Sequence, residues 1–406
     1  MKRSLFLASA LCVACQAAPL EGPTTGTPQA SGRGSAPTAH HDLHDPGNMP
    51  DLNERPGLTT PCEPSAEDMP EEYTPPEASD EIIPIDDVQK FSLKTIVQSS
   101  GLGGAADLDF HPTRDELWVI SYDKDAVITV EHPGKANQTA SVRVDPAHMH
   151  FMHFPTGLSM GPNDTWATCG DNTNGGNLFM GPTLYSGDPD IFGYEFTELG
   201  SHLDMLHATP NCMGIDHVSA NKYWVFNGYY SSLDLYDFAK DHGPGNDDHS
   251  DGSMYRYAEG LVKRVKGVPS HVAWDPSAKV LYVADTGNGR IVRFDPSGAS
   301  KSTNLAQTIG MEPVVEYRKM NGGTLTEIVA PGKLTRPSGI EIKGSELWVT
   351  DNATSVIYVF NKQGKELKTY KTKLSAGSLS GLKQGPDGKM YLVDMNRFRV
   401  YRLEIQ

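Results

Sequence analysis

Positive charge and long apolar runs are what this chain has little of. Against 51 Asp and Glu it carries only 35 Lys and Arg, a formal net charge of −16 over 406 residues. That balance excludes the basic footprint that nucleic-acid binding needs. Its apolar N-terminal run, Leu5 to Ala14, is too short for a transmembrane helix of about 20 residues, and no second span follows. From Gln16 to Gln89 Pro, Thr, Ser, Gly and Ala predominate, and Glu63 to Gln89 holds ten acidic residues and no Lys or Arg. So little apolar surface cannot offset the entropy of ordering a chain. Residues 16–89 are therefore expected to be a disordered tether, with His40, His41 and His44 as solvated linker residues.

Residues 1–15 read as a secretory leader: Lys2 and Arg3, then the apolar run, then Cys12-Val13-Ala14-Cys15. A small residue before a cysteine resembles the lipobox of bacterial lipoproteins, which implies cleavage to Cys15 and its acylation. Simple secretion stays open. On either reading the mature chain is extracytoplasmic, in the periplasm or at the cell surface, and meets a membrane only through a lipid anchor.

Residues 90–406 are long enough for two domains, but a repeat argues for one. "PSHVAWDPSAKVLYVADTGNGRIVRFD" (269–295) and "PSGIEIKGSELWVTDNATSVIYVFN" (337–361) share an alternating strand, a polar turn, a strand ending Val-x-Asp, a second turn and a third strand. Copies begin near residues 105, 155, 212 and 379, which makes six units of some fifty residues, the length of a four-stranded blade. These residues resemble NHL-type repeats, and the resemblance implies an all-β, six-bladed β-propeller. "FSLKTIVQ" (91–98) is expected to pair beside "RVYRLEIQ" (399–406) and close the ring.

In such a ring the lead-in to each innermost strand and the turn between second and third strands share one face, the channel mouth. "HMHFMHFPTG" (148–157) puts His148, His150 and His153 on one lead-in, His207 lies on the next and His271 on the one after. In an extended chain His148 and His150 would point to one side, roughly 6.6 Å apart. Zinc or copper would accept such nitrogens together with a ligand from a neighbouring blade. Hydrogen bonding to loop carbonyls is the alternative.

A second constellation, "YDFAKDHGPGNDDHSDG" (236–252), holds His242, Asp247, His249 and Asp251. Oxygen donors alternating before a glycine suggest an irregular calcium or zinc loop, or else a solvated acidic turn. Its expected place is the mouth side, with the far side as the other possibility. The stretch 172–192 reads as an excursion that either lids blades two and three or covers apolar surface. Cys169 and Cys212, at the same end of adjacent blades, are expected to form a disulfide. Cys62 is left over. Asp285, Asp351 and Asp394, closing the second strands, are expected to cap turns rather than form a carboxylate ring.

"HFPTGLSM", "WATCGD", "GYYSS" and "VPSHVAWDPSAKVLYVADTGNGRI" together resemble the peptidylglycine amidating lyases, zinc-dependent six-bladed propellers that cleave a C–N bond in hydroxyglycine-extended peptides. Tyr229 matches that family's functional tyrosine and Thr286 stands in the slot of its substrate-binding arginine. Its three metal-histidine slots hold Thr156, Ser270 and Ser338 here, so the resemblance implies a displaced metal site on the same mouth. Three function classes follow. A metal-dependent lyase or hydrolase would use the ion to polarise a carbonyl or activate water, with Asp216 as proton carrier and Tyr229 as substrate contact. A binding module would take a small molecule, peptide, glycan or partner protein at the mouth. The third class is metal capture itself.

Overall fold

The computed structural model describes residues 90–173, 178, 180–307 and 312–406, together with the backbone of Ile82–Ile85. The expected leader with Cys15, most of the expected tether, and Cys62 lie outside these residues.

Six antiparallel sheets stand around an axis. Their innermost strands are Ala105–Phe110, Pro155–Met160, Cys212–Ser219, Val272–Asp275, Pro337–Lys343 and Leu379–Gln384. Each of these adjoins the next, and the sixth adjoins the first. The chain is a six-bladed β-propeller. Its second strands are buried on both faces because each sheet is covered by two neighbours. Along Glu116–Ser121, for example, Leu117 and Val119 pack toward blade six, while Trp118 and Ile120 pack toward blade two. One apolar cluster of this kind fills every junction between blades. A single blade has no core of its own and is stable only when stacked.

Closure follows the sequence expectation. Phe91–Ser99 pairs antiparallel with Phe398–Ile405, with Phe91 opposite Ile405, so the two ends of the domain share blade six. Ile82–Ile85, assigned to the tether on composition, adds a further strand beside Phe91–Ser99. The disulfide expected between Cys169 and Cys212 is present, with a Cα–Cα distance of 5.5 Å, and it ties blade two to blade three.

Two features were not legible in the repeat. Thr183–Ser186, within the supposed excursion of blade two, is that blade's third strand, and His202–Met205 is its fourth and outermost. Blade four's third strand, Arg290–Asp295, does not lead directly to its fourth, Thr324–Val329. Between them a hairpin of Ser300–Asn304 and Glu316–Asn321 reaches back to blade three and pairs in parallel with its outermost strand, Ser253–Tyr257. Blade three thereby has six strands.

A candidate metal centre on the outer edge of blade two

The histidine-rich lead-in is not extended. His148–Phe151 is one helical turn, which separates His148 from His150 instead of aligning them. His148 and His153 both donate from Nδ1 to Oδ2 of Asp125, at 3.0 and 2.7 Å, and Oδ1 of Asp125 accepts the Phe154 N–H at 2.9 Å. Asp125 sits buried in the turn between the second and third strands of blade one, with φ 50. These two imidazoles are committed to a carboxylate that fastens the lead-in to blade one.

His150 and Phe151 of the same stretch meet the outer part of blade two. The ring of Phe151 stacks on that of His202, centroids 3.8 Å apart, and His150 Nε2 lies 3.4 Å from His207 Nε2. His202 begins the outermost strand of its blade, an edge that would otherwise offer unpaired backbone groups. The 239–252 loop covers it: the His242 N–H donates to Leu203 O at 3.1 Å and the Gly245 N–H to His202 O at 2.9 Å. This loop joins Ser232–Asp237 to Ser253–Tyr257 at their Asp237 and Ser253 ends. That is the strand end away from the channel mouth, so the expected mouth-side placement is corrected. The loop lies on the perimeter because its backbone finds partners on blade two's open edge.

Three imidazoles meet there. His202 donates from Nδ1 to Leu199 O at 2.9 Å and His242 from Nδ1 to Gly243 O at 2.7 Å. A carbonyl only accepts, so in both rings the proton is on Nδ1 and Nε2 keeps its lone pair. His249 points Nδ1 at Oε2 of Glu312, 3.3 Å away. The Nε2 atoms of His202, His242 and His249 are all buried and have no hydrogen-bond partner. Donor atoms of these three rings lie within 4.8 Å of one another, and so do those of His207, His249 and Glu312. Glu312 Oε2 also takes the Nδ1 proton of His207 at 3.0 Å.

Burial governs the electrostatics. Removal from water disfavours the imidazolium form: it pushes His202 down to about 3 and His242 down to about 4, each reinforced by neighbouring imidazoles. His150 falls to about 4 for the same two reasons, and burial lowers His207 against the pull of Glu312. Glu312 is held well below the ordinary carboxylate range by its bonds to His207 and His249, which outweigh its own burial. At neutral pH His150, His202, His207 and His242 are thus uncharged nitrogen donors beside one carboxylate.

The remaining sequence-predicted residues lie apart from it. His271 stands in the channel, donating from Nε2 to Thr156 O at 2.8 Å with Nδ1 3.7 Å from Asp107. Asp216 is also in the channel, where Oδ2 accepts the Trp274 N–H at 2.6 Å and Oδ1 accepts from Ser159 at 3.3 Å. Tyr229 is exposed in the turn of blade three, its ring edge-on to Tyr230 at 4.9 Å. Asp251 accepts the Lys240 N–H, and among the described residues neither Asp247 nor Asp251 enters a group of three converging donors. The expected single gathering of His148, His150, His153, His207 and His271 at the channel rim is therefore resolved into three places. Thr156 and Ser338 use their hydroxyls to tie blade to blade, Thr156 to Cys212 O and Ser338 to Pro269 O, while Ser270 bonds the Thr286 hydroxyl within blade four. Asp285 and Asp351 accept turn and lead-in N–H groups, as expected of caps.

Sequence reading missed His202 and Glu312. His202 had a local cue in "HLDM", four residues of strand-like character beside a turn; Glu312 had none, since it arrives on a hairpin from blade four.

No family model matches this chain, and no curated protein matches it. Solved structures do. An auxiliary nutrient binding protein from Bacteroides ovatus is 13% identical over 86% of this chain and 76% of its own, TM-score 0.50. Virginiamycin B lyase from Staphylococcus aureus is 13% identical over 78% and 100%, TM-score 0.46. A gluconolactonase from Xanthomonas campestris is 13% identical over 83% and 100%, TM-score 0.43. The likeness is one of fold. Propellers at this identity share an architecture and need not share a ligand or a reaction.

Proposed function

We propose that this is an extracytoplasmic propeller that binds a transition-metal ion on the imidazoles of His202, His242 and His249. One observation carries the reading: three buried Nε2 atoms have no hydrogen-bond partner on rings whose donor atoms converge within 4.8 Å, while each opposite nitrogen is engaged by a carbonyl or carboxylate. A buried acceptor without a partner forfeits about 1–3 kcal/mol, and three together are explained by an ion that takes all three lone pairs. Imidazole with its far nitrogen held by an oxygen is the arrangement of metal-ligating histidine. Nitrogen donors suit zinc or copper and not calcium, which takes oxygen.

Residues 239–252 would supply two ligands and blade two the third, so the ion would pin the loop to the outer strand. Glu312 would orient His249, and Phe151 would hold the plane of His202. The ion would supply Lewis acidity, but its donors are enclosed and neither Tyr229 nor Asp216 reaches them. Metal retention therefore fits the geometry better than a metal-dependent lyase or hydrolase. The leader and the disulfide support export, where metal capture and a stable disulfide are both compatible with the surroundings.

Metal analysis of protein exported by its own leader and purified without chelator tests this. One equivalent of zinc or copper is expected in the wild type, and none in the double variant His202→Gln, His249→Gln. Metal-free wild type that takes up neither ion on titration would refute the proposal.

A further inference from the structure

The channel opens at the face opposite the lead-ins into a cavity of about 320 Å³. Its walls are the last residues of the inner strands, Met160, Trp274 and Ile342 among them, and its floor is ionic. There Lys383 Nζ is 3.7 Å from Asp109 Oδ2, 3.8 Å from Asp216 Oδ1 and 3.7 Å from Glu341 Oε2. All three separations exceed hydrogen-bond length. The ammonium is centred by charge, and its protons remain available to the cavity.

The carboxylates are partly spoken for. Asp109 accepts the Met160 N–H at 2.9 Å and Asp216 the Trp274 N–H at 2.6 Å, each stapling its blade to the next. Such bonds satisfy the inner edge of a strand that has no further strand beside it. Oε2 of Glu341 is left with only the distant lysine. Burial and the neighbouring Asp216 and Asp109, against Lys383, push Glu341 up to about 7.

We infer that this cavity is a second binding site, and that it takes a neutral polyhydroxylated ligand of monosaccharide size. Alternative chemistries meet a like charge. A metal ion or an organic cation would be set against the Lys383 ammonium, and a carboxylate or phosphate against three acids. A hydroxyl accepts from the ammonium and donates to a carboxylate at once, so it can bridge gaps of 3.7 Å that the protein leaves open. Adjacent hydroxyls of a polyol would repeat this around Lys383. The half-buried Trp274, with Met160 and Ile342, gives the C–H face an apolar wall. The volume falls within the range of about 300–1,000 Å³ used for small ligands.

Isothermal titration calorimetry decides it, with D-glucose, D-xylose and D-mannitol as neutral probes and choline, inorganic phosphate and magnesium as charged ones. At least one neutral probe is expected to bind, at least tenfold more weakly to Ile342→Trp, which fills the cavity and leaves the ions in place. Lys383→Met is expected to lose binding; if that variant does not fold, Ile342→Trp still decides. No histidine of the metal centre lines the cavity, so prior chelation leaves the result unchanged. Failure of all three neutral probes, undiminished binding to Ile342→Trp, or binding of a charged probe that Ile342→Trp abolishes would each overturn the inference.

Discussion

Two groups of histidines gather at blade two, one on its lead-in and one along its outer edge, and they do different work. His148 and His153 give their Nδ1 protons to one buried carboxylate, Asp125. His202, His242 and His249 also have one nitrogen engaged, yet their second nitrogens are buried without a hydrogen-bond partner, on rings that converge. The first group explains itself as structure. The second leaves lone pairs that the fold does not use. Density of histidine in the sequence is therefore a poor guide to metal chemistry, and the number of unsatisfied nitrogens in the structure is a better one.

The sharpest way to break this comparison is by paired substitution. His202→Gln with His249→Gln should weaken zinc or copper binding by at least 10³-fold, which is about 4 kcal/mol. His148→Gln with His153→Gln should leave stoichiometry and affinity unchanged. Competitive titration with a metal-sensitive dye checks both, and equal losses in the two pairs would dissolve the distinction.

Asp125→Asn inverts the test. Asparagine tolerates the left-handed backbone at this position, but it offers one acceptor oxygen where the carboxylate uses two, so either the two imidazoles or the Phe154 N–H loses its acceptor, at a cost of about 1–3 kcal/mol. Urea unfolding should show a loss near that size with metal affinity preserved.

Glu312→Gln acts on the other group. Loss of the carboxylate that orients His249 should cost 10- to 100-fold in metal affinity, roughly 1.4–2.7 kcal/mol, with little change in the metal-free protein's midpoint.

The smallest effect is on pH. His202 and His242 have folded pKa values near 3 and 4, below an unfolded value of 6.5. Between those values the unfolded chain holds more protons than the folded one, so stability is full above about 6.5 and declines as pH falls toward 4. Each imidazole contributes roughly 1 kcal/mol per pH unit to that decline. Metal-free wild type should show the slope in denaturant midpoints, and His202→Gln with His242→Gln should flatten it.

Much of the architecture could be read from the sequence because it repeats. The Val-x-Asp strand ends, the alternation within each unit and the match between 91–98 and the C-terminus all act over short spans or recur, and the disulfide followed once adjacent blades were in frame. The metal centre was only half legible. His242 and His249 stood out by density, but their loop takes its position from backbone bonds to Leu203 and His202 across a blade boundary. Glu312 reaches them only because a blade-four hairpin adds in parallel to blade three, and long-range parallel pairing leaves no local pattern. The helical turn at His148–Phe151 was misread as extended, since three histidines at short spacing do not reveal the dihedral angles between them.

One measurement addresses the central claim most directly: anomalous diffraction at the zinc or copper edge from crystals of metal-loaded protein. A single strong peak about 2.0–2.1 Å from the Nε2 atoms of His202, His242 and His249 is the predicted result. A peak between His148 and His153, or none on blade two at all, would contradict the account.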